Sequence, residues 1–169
     1  MQERLKVSIP SIRRLTEFLK SKGFFVSSTG QENWLTPELH EQIRYIHGDN
    51  TVDLIRYFPD FVVYRNRNCF FVQAKATTPE YYDGKNFSIE TACLTIDKKL
   101  ASIGIRVLVI FENRPNEFYG AWANEIEPFF ETDKTASYKG SKTPMSLVAK
   151  SSISELERIL LGKAQDNLR

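Results

Sequence analysis

Apolar residues recur along the chain with two different periods, and the switches between them mark its elements. Ile12, Leu15, Phe18 and Leu19 lie at helical spacing, which predicts an amphipathic helix from Pro10 to about Lys22, closed by Gly23. FFVSS (24–28) reads as a strand. Thr36-Pro37 then opens a second helix, with Leu39, Ile43 and Ile46 on its apolar side and Gly48 at its end. Residues 51–58 are expected to be extended. FVVY and CFFV flank the turn-like RNRN, so residues 58–78 read as a β-hairpin, followed by the polar loop TPEYYDGKN. Ile89, Ala92, Cys93, Ile96, Leu100 and Ile103 form a continuous stripe and predict a helix over 88–103. IRVLVIFE (105–112) reads as a buried strand and EFYGAWANEI (117–126) as another. Glu131–Thr143 has no periodicity and is expected to be mobile, and Ser152 with Glu155 makes a capping box ahead of a final helix at about 152–163. Its inward side is Ile153, Leu156, Ile159 and Leu160. The order predicts one mixed α/β domain over residues 1–169, with its core at about 10–128 and helices covering a central sheet.

The hairpin has a register that can be tested on paper. With the turn centred between Asn66 and Arg67, opposed residues have numbers that sum to 133, so Asp60 faces Gln73 and Val62 faces Phe71. Directly opposed side chains share a face, and Lys75, two residues past Gln73, joins them on it. Phe61, Val63, Phe70, Val72 and Ala74 make the other, core face. An acid, an amide and a lysine thus gather at the open end of the hairpin, away from the turn, and Ala74 and Ala76 beside the lysine leave room for something to approach. A slip of one residue would break the cluster. An ordinary surface ion pair between Asp60 and Lys75 is the plain alternative.

Composition narrows the class without naming it. Hydrophobic content of 41% with 26% charged residues is ordinary for a globular protein. The longest purely apolar run, Val107–Phe111, is far short of the ~20 residues of a membrane span, and MQERLKVSIP has no apolar signal region. Cys69 and Cys93 are too few for a disulfide framework, which suits a reducing cytoplasm. A net charge of +2 permits nucleic-acid binding without arguing for it. His40 and His47, about 10 Å apart along one helix at ~1.5 Å per residue, do not make a zinc site. No nucleophile elbow, Walker loop or dinucleotide fingerprint is present, which sets aside serine hydrolases, NTPases and dinucleotide enzymes.

A carboxylate beside an amide oxygen is a ligand set for a hard cation such as Mg²⁺, completed by water and substrate phosphate. A lysine one side-chain length away can hold or deprotonate an attacking water, or stabilise charge in the transition state. Pro59-Asp60, a strand, a turn and Gln73-Ala74-Lys75 resemble the motif of the PD-(D/E)XK nuclease superfamily, in the variant with Gln in place of the acidic residue. The resemblance covers roughly residues 37–112. It implies a restriction-endonuclease-like mixed β-sheet flanked by helices, with the motif on a central hairpin. It further implies a DNA nuclease, read here as an endonuclease with an exonuclease left open, dependent on Mg²⁺ with Mn²⁺ as substitute. Asp60, Gln73 and Lys75 would be catalytic, with Asp60 and Gln73 on the metal.

Many members of that superfamily add a third acid from an upstream helix. Glu17 and Glu41 point away from the apolar sides of their helices, which leaves Glu38 or Asp53. Tyr81, Tyr82 and Lys85 after the lysine strand, and Arg65 and Arg67 at the hairpin tip, are candidates for nucleic-acid contact, with packing and solvation as the alternatives. Lys98 and Lys99 read as surface residues and Glu90 as a partner of the helix dipole. The partner expected is DNA. A Holliday-junction or branched-DNA resolvase, acting as a homodimer, is the second reading, and a non-catalytic nucleic-acid-binding protein of the same fold is the third.

Overall fold

The computed structural model describes residues 2–30, 35–43, 46, 49–76, 85–128 and 144–166. Helix α1 (Gln2–Ser21) is followed by β1 (Phe25–Ser28), α2 (Pro37–Ile43), α3 (Asn50–Arg56), β2 (Phe61–Arg65) and β3 (Asn68–Ala76). After these come β4 (Asn86–Glu90), α4 (Thr91–Ser102), β5 (Val107–Arg114), β6 (Glu117–Trp122), β7 (Met145–Ala149), β8 (Ser154–Glu155) and α5 (Leu156–Asp166). Six strands form one sheet in the order β1-β2-β3-β5-β6-β8, parallel between β3 and β5 and antiparallel elsewhere. The remaining two, β4 and β7, pair antiparallel as a separate ribbon.

The sheet lies between two apolar layers. On one side Leu15 and Leu19 of α1 and Leu156 of α5 meet Phe61, Val63, Phe70, Val72, Leu108 and Ile110. On the other, Cys93, Leu94, Ile96 and Leu100 of α4, with Phe87, Ile89 and Val148 of the ribbon, meet Val107, Val109 and Phe111. Strand β5 is buried on both faces from Val107 to Glu112, which is why it reads as a nearly unbroken apolar run.

The hairpin has the expected register: Phe61 opposes Val72, Val62 opposes Phe71 and Val63 opposes Phe70. Its two-residue turn sets Asn66 at φ 48° and Arg67 at φ 66°, the doubly left-handed backbone that suits a tight hairpin. Gly23, at φ 81°, ends α1 and lets the Phe24 N–H donate to the Leu19 carbonyl at 3.1 Å.

Several local expectations are corrected. Helix α1 starts at Gln2, so Pro10 lies inside it. Residues 50–56 are helical, not extended, because the Asp49 side chain accepts from the N–H groups of Thr51 (2.8 Å) and Val52 (3.0 Å). Residues 86–90 form a strand paired with β7, so the helix begins only at Thr91. The capping box does not form: Ser152 donates instead to the Ala149 carbonyl at 2.7 Å, and Ser154–Glu155 pair with Tyr119 and Gly120 before α5 starts. Helix α2 ends at Ile43, short of Gly48, and residues 131–143 lie outside the described residues.

Candidate active site

The two residues that follow β1 fix the backbone where the hairpin opens. The N–H groups of Thr29 and Gly30 donate to the Asp60 carbonyl at 2.8 and 3.2 Å, and Thr29 Oγ1 donates to the carbonyl of the buried Pro59 at 2.7 Å. With its main chain so held, Asp60 turns its carboxylate across the hairpin. Oδ2 accepts from Gln73 Nε2 at 2.8 Å and from the Ala74 N–H at 2.7 Å. A carboxylate can only accept, so Gln73 shows it nitrogen and sends its oxygen the other way. Gln73 is buried to 3% exposure, and its Oε1 has no hydrogen-bond partner among the described residues. The acid and the amide therefore meet through an N–H···O bond at Asp60 Oδ2, which leaves Gln73 Oε1 outside that contact.

Lys75 shares this face. In the parallel pairing Gln73 lies beside Val109 and Lys75 beside Phe111, both members of the layer under α4. Burial alone would lower the Lys75 ammonium, but the Cys93, Asp60, Glu90 and Asp97 groups outweigh it and hold it above the ordinary lysine value. Burial pushes the Cys93 thiol up to about 12, so near neutrality it is uncharged and Asp60 and Glu90 are the counter-charges. Lys75 is thus a cation in an acidic pocket.

One member of that pocket escaped the sequence reading. Asp97 is 0% exposed, and neither of its oxygens has a hydrogen-bond partner among the described residues. Burial pushes its carboxyl up to about 8, with Lys75 pulling it down and Asp60 pushing it up. The signal was available: Asp97 stands one turn after Cys93 and three residues before Leu100, an acid on the apolar side of the best-defined helix.

The other candidates are dispersed. Glu38 is exposed in the first turn of α2, with its carboxyl lowered by hydrogen bonds from its own N–H and from Thr36. Asp53 lies 4.0 Å from Arg56 within α3. Neither is among the charges that act on Lys75. Glu90 precedes α4 without capping it, and its charge acts on Lys75 instead. Arg65 stacks over the Phe24 ring at 5.3 Å and Arg67 is exposed at the tip. The tip is about 17 Å from Asp60, at ~3.4 Å per residue. Lys85 is exposed, and its carbonyl accepts from the Lys150 N–H at 2.8 Å. Tyr81 and Tyr82 lie outside the described residues. Among the described residues, no three His, Cys, Asp or Glu side chains converge to hold a metal ion by themselves, and no helix is long and apolar enough to cross a membrane.

No family model and no curated protein matches the sequence. The likeness is in the structure. It is similar to Hjc, a Holliday junction resolvase from Archaeoglobus fulgidus, with a TM-score of 0.53 and 11% identity over 91% of this chain and 94% of that one. The fold is shared with a Holliday junction resolvase. A nuclease from a fusselovirus also aligns, at a TM-score of 0.46 and 14% identity over 99% of this chain and 95% of that one. The mixed sheet flanked by helices is the architecture expected from the sequence, and it is the fold shared with Hjc.

Proposed function

We propose that this protein is a metal-dependent DNA endonuclease that hydrolyses phosphodiester bonds at the Asp60–Gln73–Lys75 end of the hairpin. The observation that carries the reading is the buried, unpartnered oxygen of Gln73, a residue that bonds an anchored carboxylate and shares its strand face with a half-buried cation. A buried amide oxygen left unsatisfied is costly, and oxygen donors of this kind suit Mg²⁺ or Mn²⁺. Asp60 and Gln73 would hold the ion, which when bound would polarise a phosphoryl oxygen and lower the pKa of a water. Asp60 is kept in place by the Thr29 and Gly30 N–H groups that follow β1 and by the Ala74 N–H. Lys75 supplies positive charge where negative charge grows on the phosphoryl group. With few carboxylates at hand, binding should be weak and need millimolar metal.

The likeness to Hjc brings in a second reading, in which the substrate is a four-way DNA junction and two copies of this chain act together. A binding protein that kept the fold without the chemistry is the third.

One assay separates them: purified protein against plasmid, linear, single-stranded and four-way DNA, with and without Mg²⁺ or Mn²⁺. The proposal expects metal-dependent nicking of plasmid, abolished in Lys75→Met. Cleavage confined to four-way DNA by a dimer supports the resolvase. Tight DNA binding with no cleavage at any metal concentration rejects both nuclease readings.

A further inference from the structure

Helix α4 buries Cys93, Leu94, Ile96, Asp97 and Leu100. Four of these are what a core expects. The fifth is a carboxylate at 0% exposure whose two oxygens have no partner among the described residues. Such a group is retained at a cost to stability unless something charged comes to meet it.

Its position says what that could be. Gln73 and Lys75 lie beside Val109 and Phe111, and those two pack with Cys93, Ile96 and Leu100. The polar face of β3 therefore projects into the layer that α4 covers, where Asp97 follows Cys93 by one turn. Asp97 is coupled electrostatically to both Lys75 and Asp60, and Gln73, whose Oε1 is unpartnered among the described residues, lies on the same face of β3. A simple counter-ion of Lys75 would accept a hydrogen bond from its ammonium, and Asp97 accepts none among the described residues. The two acids expected from upstream, Glu38 and Asp53, are engaged within their own helices.

Building on the metal-dependent reading above, we infer that Asp97 is the second carboxylate ligand of the divalent cation, contributed by the helix that follows the hairpin. Two carboxylates and one amide oxygen form a hard donor set, which leaves the remaining positions to water and substrate phosphate.

The test needs no DNA. Mn²⁺ is titrated calorimetrically into the wild type, Asp97→Asn, Asp97→Ser and Asp60→Asn, and each is melted with and without the ion. The inference expects Asp97→Asn to melt higher than the wild type without metal, since a buried unpaired acid is gone. It also expects Mn²⁺ affinity to fall by roughly 10–100-fold or more, as loss of a ligand should cost at least what loss of a supporting partner does. Asp97→Ser repeats the affinity measurement should the asparagine variant misfold. Wild-type affinity in both Asp97 variants, with loss only in Asp60→Asn, overturns this inference and leaves the metal-dependent reading standing. Absence of Mn²⁺ binding by the wild type overturns both.

Discussion

Gln73 turns its nitrogen toward Asp60 because the carboxylate has nothing to donate, and that choice strands its oxygen in the core. Gln73→Glu replaces the donor with a second acid at the same 2.8 Å contact. The variant should lose about 1–3 kcal/mol without metal, as a hydrogen bond becomes a repulsion. It should also gain more thermal stability from Mg²⁺ than the wild type does, by mass action on a tighter site. Melts with and without Mg²⁺ check both, and an unchanged melt would mean that the two side chains do not share one environment. Lys75→Met tests the chemistry itself. Losing one charge-stabilising donor typically costs ~10²–10³ in rate. DNA affinity should fall only by one phosphate contact, with a salt slope smaller by about one. Undiminished cleavage by folded Lys75→Met would remove Lys75 from the reaction.

At the level of elements, the hairpin and β5 were legible because their signals are local. The turn residues and the two-residue side-chain period set the register, and an unbroken apolar run marks a strand covered on both faces. Helix α3 was not. Thr51, Val52, Ile55, Tyr57 and Phe58 have strand-forming side chains, yet the Asp49 cap starts a helix. Arg56 then ties it to the end of α2 and to the segment beyond by donating to the carbonyls of Ile43 and of Ile46, the latter at 2.7 Å. Strand pairing also leaves its mark at Gly120, where a Cβ would stand 2.7 Å from the Val109 carbonyl oxygen. Gly120→Ala should therefore force β5 and β6 apart and cost about 1–3 kcal/mol. Urea unfolding measures it, and an unchanged midpoint would contradict this close approach.

The layers of the whole molecule are pinned by a long-range ion pair. Arg14 of α1 donates from Nε and Nη2 to the two carboxylate oxygens of Glu112 on β5, both at 2.6 Å, and Glu112 is 6% exposed. Burial alone would raise the Glu112 carboxyl, but hydrogen bonds from Arg14, Ser11 and the Asn116 N–H bring it below the usual range. The unfolded chain thus takes up a proton near the ordinary glutamate value of about 4.3 while the native protein resists. The contribution is complete above that pH and is lost as pH falls through the lower native value. Urea midpoints measured from pH 7 to 3 should drop less steeply in Glu112→Gln than in the wild type, from a lower starting point at pH 7. A parallel pair of curves would show that Glu112 does not feel Arg14 in solution.

The sequence by itself determined which residues oppose one another across the hairpin, and hence that Asp60, Gln73 and Lys75 share a face. It also determined that α4 has an apolar side and that β5 is buried, since each follows from spacing within a few residues. Only the tertiary structure decided what covers that face. The parallel pairing of β3 with β5 sets Gln73 and Lys75 beneath α4 and adds Asp97, not Glu38 or Asp53, to the acids of their pocket. The reason is physical. Register is enforced by backbone hydrogen bonds between near neighbours, whereas the placement of a helix over a strand is chosen by the packing of the whole core.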